Sequence, residues 1–133
     1  MQNQLNKLYR QTQMDSAPAG RQIEVSILEL ATAKLRSYYG EGDQLVWSRE
    51  LDEVLKFNQK VWDVFSADWM SSTCQLEHSL RENLLSIAVF VKKKTFKTMA
   101  DPHKTDLGLL IQLNENIVDG LRAGMNTKQS ESA

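Results

Sequence analysis

The residues best suited to chemistry in this sequence are one cysteine and two histidines. Cys74 and His78 lie four residues apart, and His103 lies further along the chain. Structural zinc takes four ligands, so these three, without a recognised spacing, argue against a metal site. A thiol and an imidazole can also act as nucleophile and base, but no glycine-rich, oxyanion-forming motif accompanies them. We therefore expect no enzyme activity, no metal and no cofactor.

A second candidate for chemistry is a group of lysines with an aromatic residue among them. The group consists of Lys92, Lys93, Lys94, Lys97 and Lys104, with Phe96 among them, and such residues can contact the phosphates and bases of RNA. Lysines near the end of a helix also neutralise its exposed carbonyl groups without binding anything else. The chain lacks a broad basic face or a second stacking ring there, which argues against nucleic acid as the partner.

Composition restricts the class of protein. The chain has 133 residues, 41% of them hydrophobic and 25% charged, with a net charge of −1, which is typical of one globular domain. The near-neutral charge supplies no field that would attract nucleic acid or an anionic membrane. The most apolar run, Leu84 to Val91, is too short to cross a bilayer and predicts a buried helix segment. A single cysteine and the absence of a secretion leader predict a cytoplasmic protein.

The elements that must position these residues are helices. Apolar residues recur at intervals of three and four, and no useful stretch alternates with a period of two, so we predict an all-α bundle of four main helices. Ser48 is the expected N-cap of the second helix, and Ser79 with Glu82 the expected capping box of the third. The predicted helices are Arg21 to Tyr39 before Gly40, a second from Ser48 through Trp69, a third to about Met99 before Asp101-Pro102, and Thr105 to Ala123 before Gly124.

The ends of the chain are predicted to differ from the rest. Residues 1–124 form one helical domain, in which residues 1–20 are the least defined part. Leu5, Leu8 and Tyr9 share a face of a short N-terminal helix if one forms there. Residues 125–133 are polar and are expected to form a flexible tail.

The second and fourth helices carry amides and aromatic rings on their apolar stripes. Asn58 and Asn114 occupy positions that the periodicity assigns to the apolar side. One explanation is a hydrogen bond between helices that fixes their register. The other is a groove in which a partner satisfies the amides and the aromatic rings anchor its amphipathic helix. On that second explanation the partner-binding residues are Asn58, Trp62, Phe65, Trp69, Asn114, Ile117 and Leu121.

Four segments together carry a family resemblance. They are Arg21 to Glu24, Phe57 to Phe65, Leu84 to Val91, and Leu110 to Ile117 followed by Gly120-Leu121. In order and spacing they resemble FlaF, the bacterial flagellar biosynthesis regulator, over about residues 20 to 123.

The resemblance implies a role in making flagellin. FlaF proteins promote flagellin synthesis and secretion together with the companion regulator FlbT. A flagellin chaperone fits this role, because flagellin's amphipathic terminal helices need cover before the filament assembles. The alternative is a post-transcriptional regulator that acts on flagellin mRNA or through FlbT. The expected partners are therefore flagellin, through its terminal helices, and FlbT.

Overall fold

The structure is a computed structural model that describes residues 18–40, 42 and 44–131, with side chains described from residue 22 to residue 123. The short N-terminal helix predicted around Leu5, Leu8 and Tyr9 lies outside these residues. Within them the regular elements are four helices and no strands, which confirms the predicted all-α bundle. The helices are α1 (Pro18–Arg36), α2 (Arg49–Met70), α3 (His78–Ala100) and α4 (Lys104–Glu131).

A side-chain cap marks the start of α2 but not that of α3. The Leu51 N–H donates to the Ser48 hydroxyl at 3.0 Å, so Ser48 is the N-cap of α2, as predicted. The predicted capping box of α3 is wrong. α3 already begins at His78, and the Ser79 hydroxyl donates to the Glu77 carboxylate at 2.7 Å instead of capping the helix.

Two helix ends differ from the prediction. α1 ends at Arg36, before Tyr39, because the N–H groups of Tyr38 and Tyr39 bond to carbonyls three residues back and tighten the chain into a turn. α4 continues to Glu131, so the predicted stop at Gly124 is wrong. A lone glycine costs a helix only about 1 kcal/mol, and no proline follows it in residues 125–131. The proposed boundary between domain and tail therefore does not coincide with a helix end.

The four helices form a closed ring of neighbours. α1 packs closely along α4 and α2 along α3, α1 also contacts α2, and the contact between α3 and α4 is the least extensive. α2 and α4 are thus diagonal partners across the interior. The core between them is apolar: it contains Val25, Leu28, Ala31, Leu35, Leu51, Leu55, Val61, Trp62, Phe65, Trp69, Ala88, Val91, Leu107, Leu110, Ile111 and Val118.

The connection between α1 and α2 is held against the start of α4. The Lys104 ammonium donates to the carbonyls of Gly40 and Gly42, the second at 2.5 Å, and lies 4.6 Å from the centre of the Tyr39 ring. The Tyr39 ring in turn lies so close to Gly108 that a Cβ there would approach a ring carbon at 3.2 Å. A residue larger than glycine at position 108 would therefore require the Tyr39 ring to move slightly away from α4.

Candidate partner-binding surfaces

The cysteine and one histidine lie at the start of α3, and the other histidine lies beyond its end. Cys74 lies in the turn before α3, whereas His103 lies beyond the other end of that helix, about 34 Å away along its axis. Both histidines have carboxylate neighbours instead, at 3.0 Å from Glu82 for His78 and from Asp101 for His103. Among the residues that the structure describes, no cluster of His, Cys, Asp or Glu could hold a metal ion.

Asn58, Trp62 and Asn114 form a hydrogen-bonded chain through the core, which we call the interior seam. The Trp62 indole N–H donates to Asn114 Oδ1 at 2.8 Å, and Asn114 Nδ2 donates to Asn58 Oδ1 at 2.7 Å. All three side chains are at most 1% exposed. The seam joins the diagonal helices α2 and α4, so the interhelical hydrogen bond suggested by the sequence is present.

The tryptophan fixes the direction of this chain of hydrogen bonds. The indole N–H can only donate, so Asn114 must turn its oxygen toward Trp62 and its NH₂ toward Asn58. Asn58 must then present its oxygen, which leaves its own buried Nδ2 without a partner in the described part of the chain. An unmet donor of this kind costs about 1–3 kcal/mol. The seam therefore favours one register of α2 against α4 at some cost in stability.

The other residues predicted to bind a partner pack next to the seam. The Trp69 ring meets Trp62 edge-on at 6.2 Å and stacks on Phe65 at 6.1 Å, and both Phe65 and Trp69 are buried. Ile117 and Leu121 are half-buried against the same core. In this conformation five of the seven predicted residues are thus buried. Their contact with a partner stays a prediction, and it requires the helices to separate.

An ion-paired cluster joins α3 to the start of α4. The buried Asp106 carboxylate accepts from Lys97 at 2.5 Å and from Lys94 at 3.0 Å. The hydrogen bond from Lys97, together with Lys94, holds the pKa of Asp106 below its ordinary value of 3.8, although burial acts in the opposite direction. Three of the lysines suited to RNA contact therefore have partners within the protein: Lys94 and Lys97 here, and Lys104 at the connection between α1 and α2.

The interior side of α3 is built from small and hydroxyl-bearing residues. Its buried residues are Ala88, Val91, Thr95 and Thr98. Each threonine hydroxyl donates to the carbonyl one turn earlier at 2.7 Å, which satisfies it without a partner on another helix. The fully buried positions of α3 therefore contribute no large apolar side chain to the core.

The large apolar side chains of α3 divide between the core and the surface: Leu84, Leu85, Ile87 and Met99 are half-buried against the core, and four others are exposed. Val89 and Phe96 are 55% and 58% exposed, and Leu80 and Phe90 are exposed as well. The prediction that Leu84 to Val91 forms a buried segment is therefore wrong in part, since only Ala88 and Val91 in it are buried. Periodicity missed this surface because apolar residues occur all around this helix, so the pattern gives no single inward direction.

One side of α3 combines apolar and basic residues. We call it the outer face of α3 and define it by Leu85, Val89, Lys92, Lys93 and Phe96. Leu85 is half-buried and the other four are exposed. Neither Lys92 nor Lys93 forms an ion pair with any residue whose side chain the structure describes. The outer face therefore offers uncovered apolar area beside unneutralised positive charge.

A groove between α1 and α4 is the other notable surface feature. Arg36 pairs with Glu115 and Arg122 pairs with Glu29 across it. Because each arginine is neutralised by a carboxylate of the facing helix, the groove is well explained as a structural contact between α1 and α4.

Comparison with known protein families assigns the chain. None of the helices, over the residues described, is long and apolar enough to cross a membrane. The model of the family described as flagellar protein FlaF matches residues 5–121, a range that includes both the interior seam and the outer face of α3. Comparisons with curated proteins and with solved structures give no match. Since the family match spans most of its length, the chain belongs to the FlaF family of flagellar proteins.

Proposed function

We propose that this protein is a non-enzymatic, cytoplasmic flagellin-binding chaperone and regulator that promotes flagellin synthesis and secretion. Membership of a flagellar protein family supports a role connected with the flagellum. The observation that carries the proposal is the arrangement of α3, which buries small residues and exposes Val89, Phe90 and Phe96. Exposed large apolar residues on one helix are typical of a surface that another protein covers.

The chemistry of flagellin fits such a surface. Its terminal helices are amphipathic and pack against each other only in the filament, so their apolar faces need cover before export. A helical bundle can provide cover by accepting one more helix along an exposed apolar stripe. A micromolar complex, worth about 8 kcal/mol, would protect the helices and still release them at the export machinery.

The direct test is a calorimetric titration of the full-length protein with flagellin from the same organism, at low and at moderately high salt. We expect saturable one-to-one binding that is still measurable at high salt, because salt screens charge pairs and not apolar contacts. No binding at micromolar concentrations under either condition would contradict direct chaperoning.

A cellular measurement separates synthesis from secretion. A strain that lacks the gene is compared with its parent. The measured quantities are the flagellin inside the cells, the flagellin in the medium, and the activity of a reporter for flagellin translation. A chaperone predicts a loss of secreted flagellin even when flagellin is expressed from a promoter and leader unrelated to its own. Normal secretion in that strain would point to control of synthesis alone.

The second candidate function is post-transcriptional regulation through flagellin mRNA or FlbT. The observation that favours it is the pair Lys92 and Lys93, exposed and without ion pairs in the described part, beside the exposed ring of Phe96. Phosphate contacts release counterions, so RNA affinity would fall steeply as salt rises. A salt titration with the flagellin leader RNA distinguishes this function from apolar binding of flagellin.

A further inference from the structure

The outer face of α3 has the spacing of a helix-pairing stripe. Leu85, Val89, Lys92 and Phe96 follow one another at steps of four, three and four residues, which is the heptad spacing of coiled coils. At about 100° per residue, Lys92 and Lys93 lie on opposite sides of the line through Leu85, Val89 and Phe96. A second helix laid along this line would meet an apolar centre with a lysine on each side.

The charge of this surface is one-sided. Residues 83–100 contain four lysines and no aspartate or glutamate, a formal charge of +4. Lys94 and Lys97 both pair with Asp106 on the side of α3 that faces α4, and its single negative charge offsets one of their two positive charges. Lys92 and Lys93 keep their charge free at the outer face, where a facing carboxylate would find a partner.

We propose that the outer face of α3 binds an acidic amphipathic helix of a partner protein, with Val89 and Phe96 as apolar anchors and Lys92 and Lys93 paired with its carboxylates. Flagellin is the first partner to test, and to that extent the inference rests on the proposed function. The surface itself is defined by apolar area and charge alone, so it can also be tested without flagellin.

The same charge disfavours a second copy of this chain as the occupant. In a two-fold symmetric pairing in which the two α3 helices run parallel, Lys92 and Lys93 would lie close to the same lysines of the other copy. Like charges in that arrangement repel one another, whereas an acidic helix is attracted. Among the helices that could cover Val89 and Phe96, an acidic one is therefore favoured by its charge.

The test compares two double variants of the outer face with matched variants elsewhere. Val89→Ser/Phe96→Ser removes the apolar anchors, and Lys92→Glu/Lys93→Glu reverses the charge. Leu30→Ser, at a 51% exposed leucine of α1, is the apolar control. Lys56→Glu/Lys60→Glu on α2 gives the same change in net charge and is the electrostatic control. Far-ultraviolet circular dichroism melts confirm that all four variants fold.

Two probes are titrated against each variant. One is flagellin, and the other is a pair of synthetic amphipathic helices with identical apolar faces, one flanked by glutamate and one by lysine. We expect the wild-type protein to bind the glutamate peptide at least about tenfold more tightly than the lysine peptide. Each double variant of the outer face should weaken binding of flagellin and of the glutamate peptide by about tenfold or more. Each control variant should change the same affinities by about twofold or less.

The outcomes separate the two proposals. If flagellin binds the wild-type protein and every variant alike, the proposed function stands and the outer face is not the site. If flagellin does not bind but the glutamate peptide shows the selective losses, the surface stands and flagellin is not its partner. The inference is overturned if neither probe shows a selective loss, or if sedimentation shows a dimer that Val89→Ser/Phe96→Ser dissociates. RNA binding that depends on the lysines but not on Val89 and Phe96 would overturn it as well.

Discussion

The interior seam and the outer face of α3 each contain a large aromatic side chain, but in opposite environments. Trp62 is 1% exposed and its N–H is bonded to Asn114, whereas Phe96 is 58% exposed at the surface of its helix. Both belong to periodic apolar stripes. The stripe of α2 lies in the core, where the Trp62 indole N–H and the Asn58 side-chain oxygen have partners on α4. The outward stripe of α3 stays at the surface, because other residues of the same helix face the interior.

This contrast suggests a division of roles between the two regions. The seam ties α2 to α4 across the diagonal and so fixes the shape of the bundle. The outer face contributes little to that shape, and its residues are available to a partner. Substitutions in the seam should therefore change stability, and substitutions on the outer face should change binding.

The largest expected effect is on stability, from Trp62→Ala. Removing this buried ring leaves a cavity and an unpaired oxygen on Asn114, and we expect a loss of about 3–5 kcal/mol in the free energy of unfolding. Urea denaturation followed by circular dichroism measures it. A variant as stable as the wild type that had lost only flagellin binding would show that Trp62 belongs to a partner groove.

A smaller effect should separate the two asparagines. Asn114→Ala removes both hydrogen bonds of the seam and strands the Trp62 N–H, so we expect a loss of about 2–4 kcal/mol. Asn58→Ala removes one hydrogen bond and also the donor that is already unpaired, so its cost should be lower by about 1 kcal/mol. Urea titrations of both variants measure the order, and equal or reversed costs would contradict the proposed direction of the seam.

The cluster at Asp106 predicts a modest, pH-dependent effect. Asp106→Asn should cost about 1 kcal/mol at neutral pH, because Lys97 is half exposed and its pairing is screened. The folded protein lowers the pKa of this carboxyl, so the stabilisation is complete above its ordinary pKa of 3.8 and is lost as the pH falls through the lower, folded value. Thermal melts of both proteins between pH 7 and pH 2 should converge only below about pH 4. A difference that stays constant across this range would contradict the pairing.

The smallest effect on stability is expected at the outer face. Val89→Ser/Phe96→Ser changes side chains that are more than half exposed, so the free energy of unfolding should change by about 0.5 kcal/mol or less. Urea denaturation of this double variant and of Trp62→Ala under the same conditions compares the two losses of stability. A loss of about 2 kcal/mol or more would mean that the outer face is part of the core.

Much of the fold could be predicted from the sequence, because three- and four-residue periodicity and the cap at Ser48 are local signals. The register between α2 and α4 was also within reach, since Asn58 and Asn114 stand out on apolar stripes. The helix beyond Gly124 was missed because a glycine signals a stop only when the following residues do not continue the helix.

The candidate surface was harder to predict. Thr95 and Thr98 look like surface residues in a sequence, yet they are buried because each hydroxyl bonds to its own helix. Val89 and Phe96 look like core residues, yet they are exposed because Ala88, Val91, Thr95 and Thr98 occupy the inward side of the helix. Which side of α3 faces inward depends on packing with α2 and α4, and a single helix does not encode that information in its own periodicity.

The most direct test of this account is a calorimetric titration of flagellin against three proteins: the wild type, Val89→Ser/Phe96→Ser and Trp62→Phe. The last variant keeps an aromatic ring in the core, but it removes the indole N–H of the seam and part of the buried ring volume. We expect the outer-face variant to lose binding by about tenfold or more, and Trp62→Phe, once shown to be folded, to bind like the wild type. The reverse pattern, with binding lost in Trp62→Phe and kept in the outer-face variant, would place the partner in the interior seam and contradict the account.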